Sequence, residues 1–146
     1  MTLRHGLSRK RIGQLKVVER PLTVEKDAIP GYLAYPERAE RGPGLLLVHQ
    51  NTGVTDYLKI EALKFARLGY ATVVPNLYEL LGYPAVTHIH TGREIQAKTS
   101  DADFVRGIGK GWRYLLSRPD VESRRAGVGG YCMGGADRHP LCRGDS

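Results

Sequence analysis

The sequence predicts an α/β domain on a mostly parallel sheet, and three features carry that reading. Leu45 to Val48 and Ala71 to Val74 are uninterrupted apolar runs, the pattern of strands buried on both faces. They alternate along the chain with helical periodicities over Asp56 to Leu68 and Ser100 to Arg118. Ahead of them, a Lys26-Asp27 turn joins two strand-like stretches, so an antiparallel hairpin precedes the parallel part. The 146 residues are the size of one domain, enough to bury roughly 68–70% of the surface an unfolded chain exposes.

Taken in order, Leu15 to Val24 and Ile29 to Tyr35 are the two hairpin strands, with Pro21 and Pro30 suited to edges or turns. Pro43-Gly44 introduces the first parallel strand. In the next segment Leu58, Ala62 and Phe65 fall on one helical face, Thr55 or Asp56 can cap its start, and Gly69 can close its end. Ala71 to Val74, stopped by Pro75, is the next strand. The second helix carries Phe104, Ile108, Trp112 and Leu115 on one face, with Ser100 and Asp103 spaced like a capping box. Gly107, Gly109 and Gly111 weaken it by roughly 1 kcal/mol each relative to Ala. Arg125 to Tyr131 is predicted as a third buried strand running directly into Cys132.

The composition, 41% hydrophobic and 25% charged, is that of a globular protein, and no apolar run approaches a membrane span. The net charge of +7 is unevenly placed. Residues 1–16 hold Arg4, Arg9, Lys10, Arg11 and Lys16 without an acid, whereas residues 17–117 carry 12 basic and 11 acidic side chains. Residues 1–13 are therefore expected to be a solvated, poorly ordered arm, and nucleic acid is not an expected partner. Cys132 and Cys142 form neither a disulfide framework nor a zinc-ligand spacing, and no export signal is legible, so a reducing, cytoplasmic setting is expected. His88-Ile89-His90, read as an extended loop segment, lacks the companions of a metal site. Neither metal nor cofactor is expected. Trp112 and Tyr114 are read as packing residues, and Arg143-Gly144-Asp145 as a chance tripeptide.

The chemistry concentrates at Gly130-Tyr131-Cys132-Met133-Gly134, a Gly-x-nucleophile-x-Gly pattern at a strand end and before an expected helix. Glycines permit the sharp turn that lifts the nucleophile above a sheet. A helix N-terminus favours thiolate over thiol, and the Met133 N–H is placed to donate to an oxyanion.

Around that motif, Arg118-Pro119-Asp120-Val121 and Arg125 to Gly135 resemble the dienelactone hydrolase family of α/β-hydrolases. Val48-His49-Gln50-Asn51-Thr52-Gly53-Val54 is similar to the family's loop after its third strand, commonly His-Glu-Asn-x-Gly. Gly69-Tyr70-Ala71 with Val74-Pro75-Asn76-Leu77-Tyr78 is similar to its Gly-Tyr and Pro-Asp-Leu-Tyr segment. The resemblance spans residues 14–135, as a partial α/β-hydrolase domain. It implies hydrolysis of a small-molecule carboxylic ester or lactone by a cysteine thiolate, through an acyl-enzyme, with an Asp and a His completing a triad. Cys132 matches the nucleophile, and the backbone N–H groups of Asn51 and Met133 match the oxyanion donors.

Two positions depart from the family pattern. Gln50 stands where the family usually has a Glu that takes part in activating the cysteine, and Gln cannot take a proton. Leu80 stands where the archetype has an Arg for the substrate carboxylate. The family's acid and histidine come after the nucleophile, and in residues 136–146 the candidates in that order, an Asp and then a His, are Asp137 and His139, neither in a matching setting. That segment reads as a non-homologous tail, such as a frameshift or premature stop produces. If a base lies within the chain, His49, His88, His90 and His139 are the imidazoles to consider. The expectation is an impaired hydrolase; the alternative is an inactive truncated product or an interaction module that self-associates through an exposed strand edge.

Overall fold

In the computed structural model, residues 15–83 and 89–131 are described. They form one five-stranded sheet in the order β1-β2-β4-β3-β5 with helices packed on it. β1 (Val17–Leu22) and β2 (Gly31–Pro36) are antiparallel, with Val17 opposite Pro36 and Leu22 opposite Gly31. A single helical turn, α1 (Val24–Asp27), connects them, and Ala28 leaves it in the left-handed region at φ 63°. The expected strand thus stops two residues short of Val24. Arg20 explains why the turn holds. Its guanidinium donates to both Asp27 carboxylate oxygens at 2.8 and 2.7 Å, and the Thr23 N–H donates to the same carboxylate at 3.1 Å. The Tyr114 hydroxyl adds a bond to Asp27 at 3.2 Å, and its ring packs against the core, the packing role its sequence setting implied.

β3 (Gly42–Val48) and β4 (Ala71–Pro75) are the parallel pair, joined by α2 (Asp56–Arg67). The Thr55 side chain accepts from the Leu58 N–H, the cap the sequence offered. Gly69 turns the chain at φ 103°, and its N–H donates to the Ala66 carbonyl at 3.0 Å. Leu58, Ala62 and Ala66 face Leu47 and Val74 on one side of the sheet. On the other side α5 (Asp101–Ser117) lays Phe104, Ile108 and Leu115 against Leu46, Val48 and Val73. Two of its glycines are packing positions: a Cβ on Gly111 would come within 2.9 Å of Pro75 and 3.0 Å of Leu46, and one on Gly107 within 3.1 Å of Leu77. The close approach offsets their cost in helix propensity. Ser100 accepts from the Asp103 N–H at 3.1 Å and donates to the Asp103 carboxylate at 2.8 Å, so the capping pair closes through its side chains.

Two helices were not expected: α3 (Leu77–Leu80), directly after β4, and α4 (Ile89–Lys98). His90 therefore sits in the first turn of a helix rather than on an extended segment, which removes the two-imidazole arrangement from that reading; His88 lies outside the described residues. The last strand also differs. β5 (Val121–Gly130) begins four residues before the expected Arg125 and pairs in parallel with β3, Leu46 opposite Val128 and Val48 opposite Gly130. After the buried Val121, Glu122 to Arg125 are polar and partly in solvent across an irregularity in the pairing, a pattern that does not announce a strand. β5 is also not a buried strand. Among the described residues it pairs on one edge alone, and Val128 is 45% exposed. No helix among the described residues is long and apolar enough to cross a membrane.

Candidate active site

In a parallel sheet, ligands bind beyond the carboxyl ends of the strands, and three of those ends converge here: Val48 of β3, Pro75 of β4 and Gly130 of β5. The Tyr131 N–H donates to the Val48 carbonyl at 3.3 Å. The residue that precedes Cys132 is thus bonded one position before His49 and three before Asn51. Tyr131 continues the contact with α2, its ring edge-on to Tyr57 at 6.0 Å and its hydroxyl 3.4 Å from the Glu61 carboxylate. Cys132 and Met133 themselves lie outside the described residues, as do Asp137, His139 and Cys142.

The loop after β3 is built around His49, a fully buried imidazole. The Leu77 N–H, which can act solely as donor, is 3.0 Å from Nε2. Nε2 is therefore the unprotonated nitrogen, and Nδ1 carries the proton that it donates to the Gln50 carbonyl at 2.7 Å. Burial favours this neutral ring and lowers its pKa to about 4, against a smaller upward push from the Gln50 carbonyl. Both nitrogens being engaged, His49 cannot serve as the catalytic base. The same Gln50 carbonyl accepts from the Gly53 N–H at 2.9 Å, closing a tight turn over residues 50–53.

Asn51 is buried and its carbonyl accepts from the Tyr78 hydroxyl at 2.9 Å. Tyr78 is buried between His49, at 4.9 Å between ring centroids, and Phe104, at 6.5 Å. α4 approaches this region at Gly92. The Tyr78 hydroxyl oxygen is also 3.4 Å from the Gly92 carbonyl, and a Cβ on Gly92 would overlap the Asn51 carbonyl oxygen. Gln50 is half-buried, and Thr52 carries a buried hydroxyl without a hydrogen-bond partner among the described residues. Of the residues singled out in the sequence, Gln50 and Asn51 thus lie on one braced turn beside the end of β5. His49 and Tyr78, which hold that turn, carry no sequence signal beyond their places in the two blocks. Leu80 is on α3, half-buried and packed against the core.

At the opposite end of the sheet, a cleft of about 320 Å³ is lined by Tyr35, Glu37, Arg38, Arg118 and Asp120. It lies at the amino ends of the parallel strands, and its arginines are occupied structurally. Arg118 is paired with Asp120 and stacked 4.6 Å from the Tyr35 ring; Arg38 donates to the carbonyls of Gly69, Pro43 and Asp120. No group of three or more potential metal-ligating side chains occurs among the described residues.

The chain is similar to several known proteins. A protein from Synechocystis sp. bearing the name carboxymethylenebutenolidase is 26% identical over 113 residues, covering 73% of this chain and 46% of its own length. One of the same name from Methylorubrum extorquens is 27% identical over 119 residues, covering 80% and 41%. The chain therefore spans less than half the length of either relative. Among solved structures, a dienelactone hydrolase from Klebsiella pneumoniae superposes with a TM-score of 0.68 at 22% identity, over 80% of this chain and 50% of that one. A dienelactone hydrolase-like promiscuous phosphotriesterase from metagenomic libraries gives 0.65 at 22%, over 84% and 52%. These two support the α/β-hydrolase fold. The family model described as Dienelactone hydrolase family matches residues 29–138, from two residues before β2 through the Gly-x-Cys-x-Gly motif. By that match over most of its length, this chain belongs to the dienelactone hydrolase family.

Proposed function

We propose that this chain carries the nucleophile half of a hydrolase for carboxylic esters or lactones, with Cys132 as nucleophile. The observation that carries the reading is the bond from the Tyr131 N–H to the Val48 carbonyl, which brings the chain entering Cys132 alongside the braced turn of Asn51. In the proposed step the Cys132 thiolate adds to the substrate carbonyl carbon, and the carbonyl electron pair moves to oxygen. The N–H groups of Asn51 and Met133 stabilise that oxyanion. Collapse expels the alkoxide, which takes a proton and leaves as the alcohol, or stays tethered in a lactone; a thioester remains on Cys132. Water then cleaves the thioester to a carboxylic acid and the thiol.

The second stage needs a base to activate water. His49 is structurally committed and none of His88, His90 and His139 stands in a position matching the family's histidine, so for the 146-residue polypeptide by itself we propose acylation without efficient release. Loss of a triad member typically costs on the order of 10⁴ to 10⁶ in kcat. The test is a stopped-flow assay with an aryl ester on the 146-residue protein and its Cys132→Ser variant. A stoichiometric burst of phenol release, absent in the variant, with turnover near background is the expected outcome. No burst sinks the hydrolase reading; many turnovers dependent on Cys132 sink the impairment.

A second reading rests on β5, whose outer edge is unpaired among the described residues and whose Val128 is exposed. In that reading the chain associates with a second copy through this edge, whatever its chemistry.

A further inference from the structure

The proposed chemistry requires the Asn51 N–H to point away from the protein core, and the backbone does not enforce this on its own. A peptide plane in a turn can rotate so that its carbonyl and N–H exchange sides. Because the unit is trans, the carbonyl oxygen of Gln50 and the N–H of Asn51 point in opposite directions. Whatever holds the Gln50 oxygen inward therefore aims the Asn51 N–H outward. Two groups hold it, His49 Nδ1–H at 2.7 Å and Gly53 N–H at 2.9 Å. The ring that donates is fixed in turn, because its Nε2 accepts the Leu77 N–H at 3.0 Å. The next plane is held the same way by the Tyr78 hydroxyl on the Asn51 carbonyl.

From this arrangement we infer that His49 is a positioning residue for acyl transfer, its Nδ1-protonated ring locking the Gln50–Asn51 peptide in the orientation that presents the Asn51 N–H to the oxyanion. The inference rests on the hydrolase reading above and deepens it. A buried histidine next to the strand end that bonds the residue preceding a candidate nucleophile would ordinarily be taken for its base, but this ring has no free nitrogen. Its neutral state is reinforced by burial, so its role does not switch across the range near neutrality.

The experiment compares two reactions of the same thiol. Acylation of Cys132 by an aryl ester passes through a tetrahedral oxyanion; alkylation by iodoacetamide does not. Their rate ratio reports the oxyanion donor and cancels changes in thiol pKa or access. His49→Asn places an amide N–H near the Nδ1 position but cannot reach Leu77, whereas His49→Gln can accept from Leu77 but lacks the donor toward Gln50. The expected result is a ratio near wild type for His49→Asn. For His49→Gln a fall on the order of 10²-fold is expected, the lower range for losing one oxyanion donor. Thermal melts by circular dichroism on both variants separate this from unfolding, since a merely structural role predicts that the ratio follows stability. Nitrogen-15 NMR of the His49 ring supplies a readout that needs no reaction, with a protonated Nδ1 and bare Nε2 expected. The opposite tautomer, or an unchanged ratio in folded His49→Gln, overturns the inference while leaving the hydrolase reading intact. Failure of the wild type itself to acylate overturns that reading and the inference with it.

Discussion

The Tyr78 hydroxyl donates to the Asn51 carbonyl at 2.9 Å, joining the first turn after β4 to the turn after β3. Burial holds the phenol protonated, its pKa raised to about 12, so this donor persists at any pH the fold tolerates. Tyr78→Phe leaves a buried carbonyl short of its partner, which costs about 1–3 kcal/mol. Urea unfolding should show that loss with an unchanged slope; a variant as stable as wild type would mean the bond contributes nothing.

Gly92 supplies a prediction whose sign opposes helix propensity. Within a helix Gly→Ala ordinarily stabilises by roughly 1 kcal/mol. At position 92 the added Cβ would overlap the Asn51 oxygen and lie 3.3 Å from the Tyr78 hydroxyl. Backbone cannot swing aside as a side-chain tip can, so Gly92→Ala should destabilise by about 1–3 kcal/mol, the usual cost of overpacking. Gly109→Ala, at a helix position where the added Cβ would meet the flexible end of Arg113 at 3.6 Å, is the internal control and should be neutral or stabilising. Equal effects at the two positions would dismiss the packing of α4 on the turn.

His49 makes stability depend on pH. Its folded pKa of about 4 is below the ordinary value of 6.5, so the unfolded chain binds the proton more readily. Stability from this source is complete above pH 6.5 and is lost as pH falls toward 4, on the order of 3 kcal/mol across the window. Denaturation curves at pH 7, 6 and 5 should show the decline in wild type and a flatter profile in His49→Gln. Parallel profiles would show that another group is responsible.

Asp27 acts in a lower window. The Arg20 guanidinium hydrogen-bonded to it holds its carboxyl well below the usual carboxylate range, despite a contrary push from burial. Stability from this pair is present above the unfolded pKa near 4 and is lost as pH falls through the lowered folded value. Asp27→Asn should cost about 2 kcal/mol at pH 7, the range for a hydrogen bond to a charged group, and less at pH 2. A cost independent of pH would mean that shape, rather than charge, holds the α1 turn.

How far the sequence reaches can be judged from these same residues. β3, α2, β4 and α5 were legible because apolar period and caps agree: Thr55 and Ser100 both cap as their positions suggest. The loop of Gln50 and Asn51 was legible through the family resemblance. α3 was not, because four residues after Pro75 are too few to show a period; α4 was not, because Thr91, Arg93 and Glu94 leave its buried face to Gly92 and Ile95. The role of His49 depends on Leu77, 28 residues away, and a contact of that kind leaves no local trace. The start of β5 was missed because Glu122 to Arg125 look like a loop: they fall in an irregularity of the ladder to β3, between Val121 opposite Gly42 and Ala126 opposite Gly44.

The last prediction concerns that strand. β5 offers its outer backbone edge and the exposed Val128 side chain over a stretch that includes Gly127 and Gly129, small residues that leave the backbone open to a partner. Such an edge is a template for a second copy, and natural sheets commonly block it with a charge. Val128 stands opposite Leu46, on the side facing α5 but past its cover, so a lysine there reaches solvent without disturbing the β3 ladder. Val128→Lys should therefore convert an associating 146-residue chain to monomer at micromolar concentration, with its melting temperature unchanged or raised. Size exclusion with light scattering on the two proteins reads the outcome. A wild type that is already monomeric at that concentration, or a lysine variant that associates equally, would remove β5 as the interface.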